Sequence, residues 1–184
     1  EKFLHLSAET HPDRFHNAGE EAKASANRKY SALNTAFSAI QEPKERLLHL
    51  LELERGVRPD DIRRIPAGTM ELFMEIGQAC RDADVFLSER EKTASPLLKV
   101  KLFEKGMEWT DKLNALQRKV SVRRDALFAE LEAMNPAWEK APPPGSPGRA
   151  AALPLERLED IYRSLSYVAR WNAQIQERLV QLSA

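Results

Sequence analysis

Cysteine is nearly absent from this sequence, and so are a net charge and long apolar runs. Cys80 is the single cysteine of 184 residues, so the chain has no internal disulfide and no Cys/His cluster for zinc or an iron–sulfur centre. Such chains are typical of reducing compartments, and we expect the cytoplasm. No stretch approaches the about 18 apolar residues of a membrane span, so we expect no membrane partner. Lys+Arg and Asp+Glu both number 28, and without a basic excess we expect no nucleic-acid partner.

β-branched residues are also scarce, because Val, Ile and Thr together number 18 in the chain. Strands draw on these residues, so their scarcity favours an all-α fold. Apolar residues instead recur at intervals of three and four, which is the pattern of amphipathic helices. With Pro43, Gly56 and Pro96 as start and stop signals, this pattern predicts a series of helices. A first helix includes Phe3, Leu4 and Leu6, and the others cover about 20–40, 43–55, 69–91, 96–135 and 154 to near the end.

Proline and glycine divide the predicted helices into two groups. We expect a small helical domain over 1–57, a linker over 58–68 that contains Pro59 and Pro66, and a second domain over 69–184. The second domain is predicted to be an antiparallel three-helix bundle. Its last two helices are joined by a proline-rich loop over 139–153, which no helix is expected to cross.

All four histidines lie in the first 49 residues, but they have no accompanying enzymatic motif. The HExxH, GxSxG and glycine-rich phosphate-binding patterns are missing. The stretch His11-Pro12-Asp13 lies between two predicted helices, where Pro12 ends the first helix and biases His11 to an extended conformation. Such a turn holds an imidazole and a carboxylate outward on a convex surface, whereas catalysis needs groups that converge in a pocket. We therefore expect neither an enzyme nor a cofactor.

The order of these motifs resembles the J-domain, and within the J-domain proteins it resembles the HscB type, which are co-chaperones of iron–sulfur cluster assembly. A helix, the His-Pro-Asp turn, and a second helix ending in an Asn-x-Ala-aromatic box at 33–37 are followed by a leucine-rich helix. In the HscB type that last helix has the form Pro-x-x-Arg-x-x-x-Leu-Leu-x-Leu followed by Gly. The matching positions here are Pro43, Arg46, Leu50, Leu51, Leu53 and Gly56.

This resemblance implies a co-chaperone that stimulates ATP hydrolysis by a DnaK/HscA-class chaperone. It implies that the chaperone-binding residues are His11, Pro12, Asp13 and Arg14. Asp13 would accept a charge-assisted hydrogen bond from an arginine of the chaperone. It also implies a J-domain whose first helix precedes Glu1, followed by a C-terminal three-helix bundle.

In the same family the C-terminal domain binds the iron–sulfur cluster scaffold protein and delivers it to the chaperone. The matching positions for scaffold binding are Phe73, Met74 and Tyr167. For each of these residues core packing is an equally weighted alternative, since apolar residues at helical spacing usually face the core. An alternative function is a generic or degenerate J-domain protein that serves as a helical interaction module for another client.

Overall fold

The computed structural model describes residues 2–59 and 68–183, and within these residues every regular element is helical. The all-α prediction is therefore confirmed. The chain divides into two compact units, residues 1–59 and 60–184. Most of the predicted linker, including Pro66, lies outside the described residues. In the described part of the chain, no helix is both long enough and apolar enough to cross a membrane.

The first unit contains three helices, α1 (Lys2–Thr10), α2 (Glu20–Gln41) and α3 (Pro43–Arg55). The rings of Phe3 and Phe37 stack at a centroid distance of 3.6 Å and join α1 to α2. The leucine-rich helix α3 supplies most of the buried side chains of this unit. These are Leu47, Leu48 and Leu51, with Ala26 from α2.

Local sequence signals place both ends of α3. Pro43 occupies the first turn, where its missing N–H costs nothing because that donor would have no helical partner. Gly56 follows the last turn in the left-handed conformation, with φ of 74°, and its N–H donates to the Glu52 carbonyl at 2.8 Å. A residue with a Cβ would be strained in this conformation, which explains why a glycine ends the helix.

The second unit is a bundle of three long helices, α4 (Met70–Lys92), α5 (Pro96–Glu139) and α7 (Leu155–Ser183). The short connection between α4 and α5 makes them antiparallel neighbours. At the far end of α4, the Arg90 guanidinium donates to the Leu182 and Gln181 carbonyls near the end of α7, so α4 and α7 run in the same direction. The predicted three-helix architecture is confirmed. Its fully buried side chains include Ile76, Ala83, Leu113, Val120, Leu127, Ile161 and Ile175.

Ion pairs between helices add to this apolar core. Both carboxylate oxygens of Glu130 on α5 accept from Arg157 on α7, at 2.5 and 2.7 Å. This hydrogen bonding lowers the pKa of the Glu130 carboxyl, because it favours the charged form. Arg178 on α7 donates to Asp84 on α4 at 2.7 Å.

The proline-rich region differs from its predicted form in two ways. Helix α5 continues through Pro136 to Glu139 and does not end at Asn135. The carbonyl that Pro136 leaves without a donor is that of Glu132, an exposed residue at which water can supply the missing hydrogen bond. Within the loop, one helical turn, α6 (Arg149–Ala152), follows Gly148.

Candidate functional site

The turn between α1 and α2 is rigid because proline and backbone hydrogen bonds fix it. His11 is extended, with φ of −60° and ψ of 130°, and caps a 3₁₀ turn that spans Pro12–Phe15. Pro12 occupies the first position of this turn, and the Arg14 N–H donates to the His11 carbonyl at 3.1 Å. The chain therefore reverses direction in a single defined conformation.

Two contacts hold the His11 imidazole. Its Nδ1 accepts a hydrogen bond from the Asp13 backbone N–H at 3.3 Å. Its ring meets the Tyr30 ring of α2 edge to face, with centroids 5.1 Å apart. Because Tyr30 belongs to the opposite helix, this contact anchors the turn to α2 as well as to its own backbone.

The Asp13 carboxylate is the most open group of the turn. Its side chain is 88% exposed, and Oδ2 lies 3.5 Å from His11 Nδ1. The Asp13 carbonyl accepts from the His16 N–H at 3.5 Å and lies 2.8 Å from His16 Nδ1. The backbone on both sides of the carboxylate is thus fixed, while both of its oxygens face solvent as hydrogen-bond acceptors.

The other two residues predicted to bind the chaperone have different environments. Pro12 is half-buried. The Arg14 side chain is exposed and folds back toward α1, where Nη1 donates to the Ala8 carbonyl at 3.4 Å. Ala8 lies in the last turn of α1, whose carbonyls have no helical donors, so Arg14 caps that helix. All four predicted residues are therefore brought together on one turn, with Asp13 and Arg14 exposed and His11 and Pro12 half-buried.

Three residues at the start of α4 form an exposed apolar surface, which we call the α4 patch: Met70, Phe73 and Met74. Phe73 is 36% exposed, and its ring meets the Tyr167 ring of α7 edge to face at 6.4 Å. Tyr167 is only 8% exposed and also contacts Trp171 at 5.7 Å. Of the three predicted scaffold-binding residues, Phe73 and Met74 are at the surface, while Tyr167 packs beneath Phe73.

The α4 patch also includes Met70, which is not among the predicted scaffold-binding residues. Met70 precedes Phe73 by three positions and Met74 by four, so it lies on the same face of the helix. This spacing could have identified it. One turn further along, the surface of α4 becomes polar, because Arg81 donates to Gln78 and Gln78 donates to Asp82, both at 2.7 Å.

Solved structures include a protein of the same architecture. The chain is similar to the chaperone HscB from Vibrio cholerae, with a TM-score of 0.63 and 19% sequence identity over 98% of this chain and 85% of that chain. The fold is HscB-like. No protein-family model and no curated protein sequence matches the chain. At this level of identity the likeness shows the fold and assigns no role to individual residues.

Proposed function

We propose that this protein is a J-domain co-chaperone that stimulates ATP hydrolysis by a DnaK/HscA-class chaperone. The observation that carries the proposal is the turn at His11, Pro12 and Asp13, which presents a carboxylate on a fixed backbone. The HscB-like fold supports the same assignment. The protein would act as an activator, and the bond-breaking groups would belong to the chaperone.

The exposed Asp13 carboxylate is suited to accept hydrogen bonds from an arginine of the chaperone. A guanidinium can donate two parallel hydrogen bonds to a carboxylate, which fixes the orientation of the partner as well as adding free energy. The rigid turn favours this contact, since little conformational entropy is lost when the partner binds. His11 contributes by holding the Asp13 backbone through its Nδ1.

A single-turnover ATPase assay tests the proposal. We expect the full chain to accelerate ATP hydrolysis by a purified DnaK/HscA-class chaperone, and Asp13→Asn to reduce this stimulation by about tenfold or more. A hydrogen bond to a charged group contributes about 1.5–3 kcal/mol, which corresponds to that loss. The matched control is Glu20→Gln, because the Glu20 side chain is 91% exposed and lies in the same unit.

The two variants separate a specific contact from a general charge effect. Both remove one negative charge from an exposed carboxylate of the first unit. If Glu20→Gln lowers the stimulation as much as Asp13→Asn, the turn has no special role. A lack of stimulation by the wild-type chain would refute the proposal.

We further propose that the α4 patch binds the iron–sulfur cluster scaffold protein, which the co-chaperone delivers to the chaperone. Exposed methionines adapt to a partner surface, and Phe73 offers an aromatic anchor. Titration of the scaffold protein by calorimetry should show weaker binding by Phe73→Ala and unchanged binding by Val85→Ala, an exposed residue of the same helix. Tyr167→Ala is a poor test because Tyr167 is buried, so Tyr167→Phe should be used. Equal binding by Phe73→Ala and wild type would contradict this role of the patch.

The charge of the first unit favours a second candidate function. Up to Gly56 the chain has 8 Lys+Arg and 9 Asp+Glu, so this unit has no excess of positive charge to attract an acidic chaperone. The second candidate is a helical interaction module that binds another client without activating an ATPase. Three results together would favour it: the scaffold protein does not bind, the chaperone is not stimulated, and the α4 patch binds other apolar peptides.

A further inference from the structure

The first three turns of α5 have a second apolar face in addition to the face in the bundle. Leu97, Val100, Phe103 and Met107 are all exposed, and we call them the α5 stripe. At 3.6 residues per turn their side chains fall within about 120° of the helix circumference. They therefore form one continuous apolar surface along roughly 15 Å of helix.

The α5 stripe is distinct from the side of α5 that packs in the bundle. Gly106 and Leu113 are buried on the packed side. A Cβ at Gly106 would lie 3.8 Å from the Phe86 ring of α4, which shows how closely the two helices approach there. The stripe points away from this contact, so folding of the bundle does not require apolar residues at these positions.

The apolar character of this outer face ends abruptly. Thr110, Asp111 and Asn114 continue the same side of α5 and are polar. Further along α5, Val122 is exposed without the other members of such a stripe. The apolar surface is thus confined to one short segment, which is typical of a binding surface, whereas single exposed apolar residues need no explanation.

Charged residues border the α5 stripe on both sides. Lys99 lies on one side. The other side has mixed charge, because Lys101 is flanked there by the exposed Glu104 and Glu108, which lie between the stripe and Lys105. Within the part of the chain that the structure describes, Lys99 and Lys101 have no ion-pair or hydrogen-bond partner for their ammonium groups. Lys105 lies over the Phe86 ring, with its Nζ 5.6 Å from the ring centroid. The surface is therefore apolar along its middle, and its edges carry a small excess of positive charge, with three lysines against two glutamates.

We propose that the α5 stripe binds an acidic amphipathic helix of a partner protein. Such a helix would place its apolar residues on the stripe and its carboxylates opposite Lys99 and Lys101, whose ammonium groups have no partner within the described residues. A second copy of the chain fits less well, because the stripe is much smaller than the about 20–30 residues a side of a standard stable interface.

The test uses the full chain and two labelled synthetic peptides of about 14 residues, long enough for nearly four helical turns. One peptide has Leu at helical spacing with Glu at the remaining positions, and the other has Lys in place of Glu. Fluorescence anisotropy measures the binding of each peptide. We expect the acidic peptide to bind at least about tenfold more tightly, and its affinity to fall as salt is raised.

Variants on α5 locate the binding site. Val100→Ser combined with Phe103→Ser should weaken binding of the acidic peptide by about tenfold or more, since both residues contribute apolar area. Val122→Ser is the matched control, because Val100 is 61% exposed and Val122 is 70% exposed on the same helix. Thermal unfolding followed by circular dichroism checks that each variant retains the fold.

Four results would overturn the proposal. Equal binding of the two peptides would exclude charge complementarity, and equal weakening by Val122→Ser would exclude the stripe as the site. Binding to phosphatidylserine vesicles without binding to the acidic peptide would indicate a lipid surface. Concentration-dependent dimerisation that is lost in the Val100→Ser, Phe103→Ser variant would identify a second copy as the occupant.

Discussion

If the turn at 11–13 docks on the chaperone as proposed, Tyr30 should control how often the turn adopts the docking conformation. Its ring meets the His11 ring edge to face at 5.1 Å, while His11 in turn accepts the hydrogen bond from the Asp13 N–H. Tyr30→Ala removes the aromatic contact and leaves the residues of the turn unchanged. The Tyr30 hydroxyl has no hydrogen bond within the described residues, so Tyr30→Phe keeps the whole of the interaction.

The size of the effect follows from the energy of the aromatic pair. Edge-to-face pairs contribute about 0.5–1.5 kcal/mol beyond the area they bury. A loss of about 1 kcal/mol lowers the equilibrium constant between this conformation and its alternatives about fivefold, so it raises the apparent dissociation constant by at most about the same factor. The maximum rate of ATP hydrolysis should not change, because Asp13 is still present once the complex has formed.

The assay is stimulated ATP hydrolysis by the chaperone, measured over a range of co-chaperone concentrations. For Tyr30→Ala the concentration that gives half-maximal stimulation should rise, by at most about fivefold, and for Tyr30→Phe it should stay within about twofold of wild type. The NMR signal of the Asp13 amide should shift in Tyr30→Ala alone. An unchanged half-maximal concentration together with an unshifted Asp13 amide in Tyr30→Ala would refute the positioning role. A change in that concentration without a shift of the Asp13 amide would mean that Tyr30 contacts the chaperone directly.

Three further predictions concern the second unit. Gly106→Ala should raise the free energy of unfolding, measured in urea, by about 1 kcal/mol, because alanine favours the helix interior more than glycine does. The added alanine Cβ would make an ordinary contact with the Phe86 ring at 3.8 Å. The stability difference between wild type and Glu130→Gln should be largest at neutral pH and should shrink as the pH falls to about 4 and below. The hydrogen bond to Arg157 lowers the pKa of Glu130, so the ionised carboxyl stabilises the fold at neutral pH. This contribution is lost once the carboxyl is protonated. Burial raises the pKa of the Cys80 thiol, so Ellman's reagent at pH 8 should label Cys80 only when the protein unfolds.

The helices could be predicted because their boundaries depend on local rules. Pro43, Gly56 and Pro96 occupy the helix ends that the sequence indicates, since each acts through its own backbone. The end of α5 was predicted wrongly because the cost of Pro136 depends on its surroundings. Pro136 removes one hydrogen bond from the last turns of α5, and because Glu132 is exposed, water can bind to its carbonyl instead.

The candidate sites could be predicted only in part. The residues of the turn form a local motif, but the contact between His11 and Tyr30 joins two helices, and no spacing in the sequence specifies it. Similarly, helical spacing cannot show that Phe73 is exposed while Tyr167 is buried. Phe73 is in the first turn of α4, near an end of the bundle, whereas Tyr167 is further inside α7, a helix covered by both α4 and α5.

The two apolar surfaces of the second unit are far enough apart to bind different partners at the same time. Met74 ends the α4 patch, and Phe86 of the same helix lies beside Gly106, at the level of the α5 stripe. Twelve residues of helix at 1.5 Å per residue separate Met74 from Phe86 by about 18 Å. A partner helix that covers the three turns of the stripe is itself about 16 Å long, so it would leave the α4 patch open. Occupation of the stripe would therefore not compete with a client at the α4 patch. If one partner changes the affinity of the other, that effect would have to pass through the packing of α4 against α5.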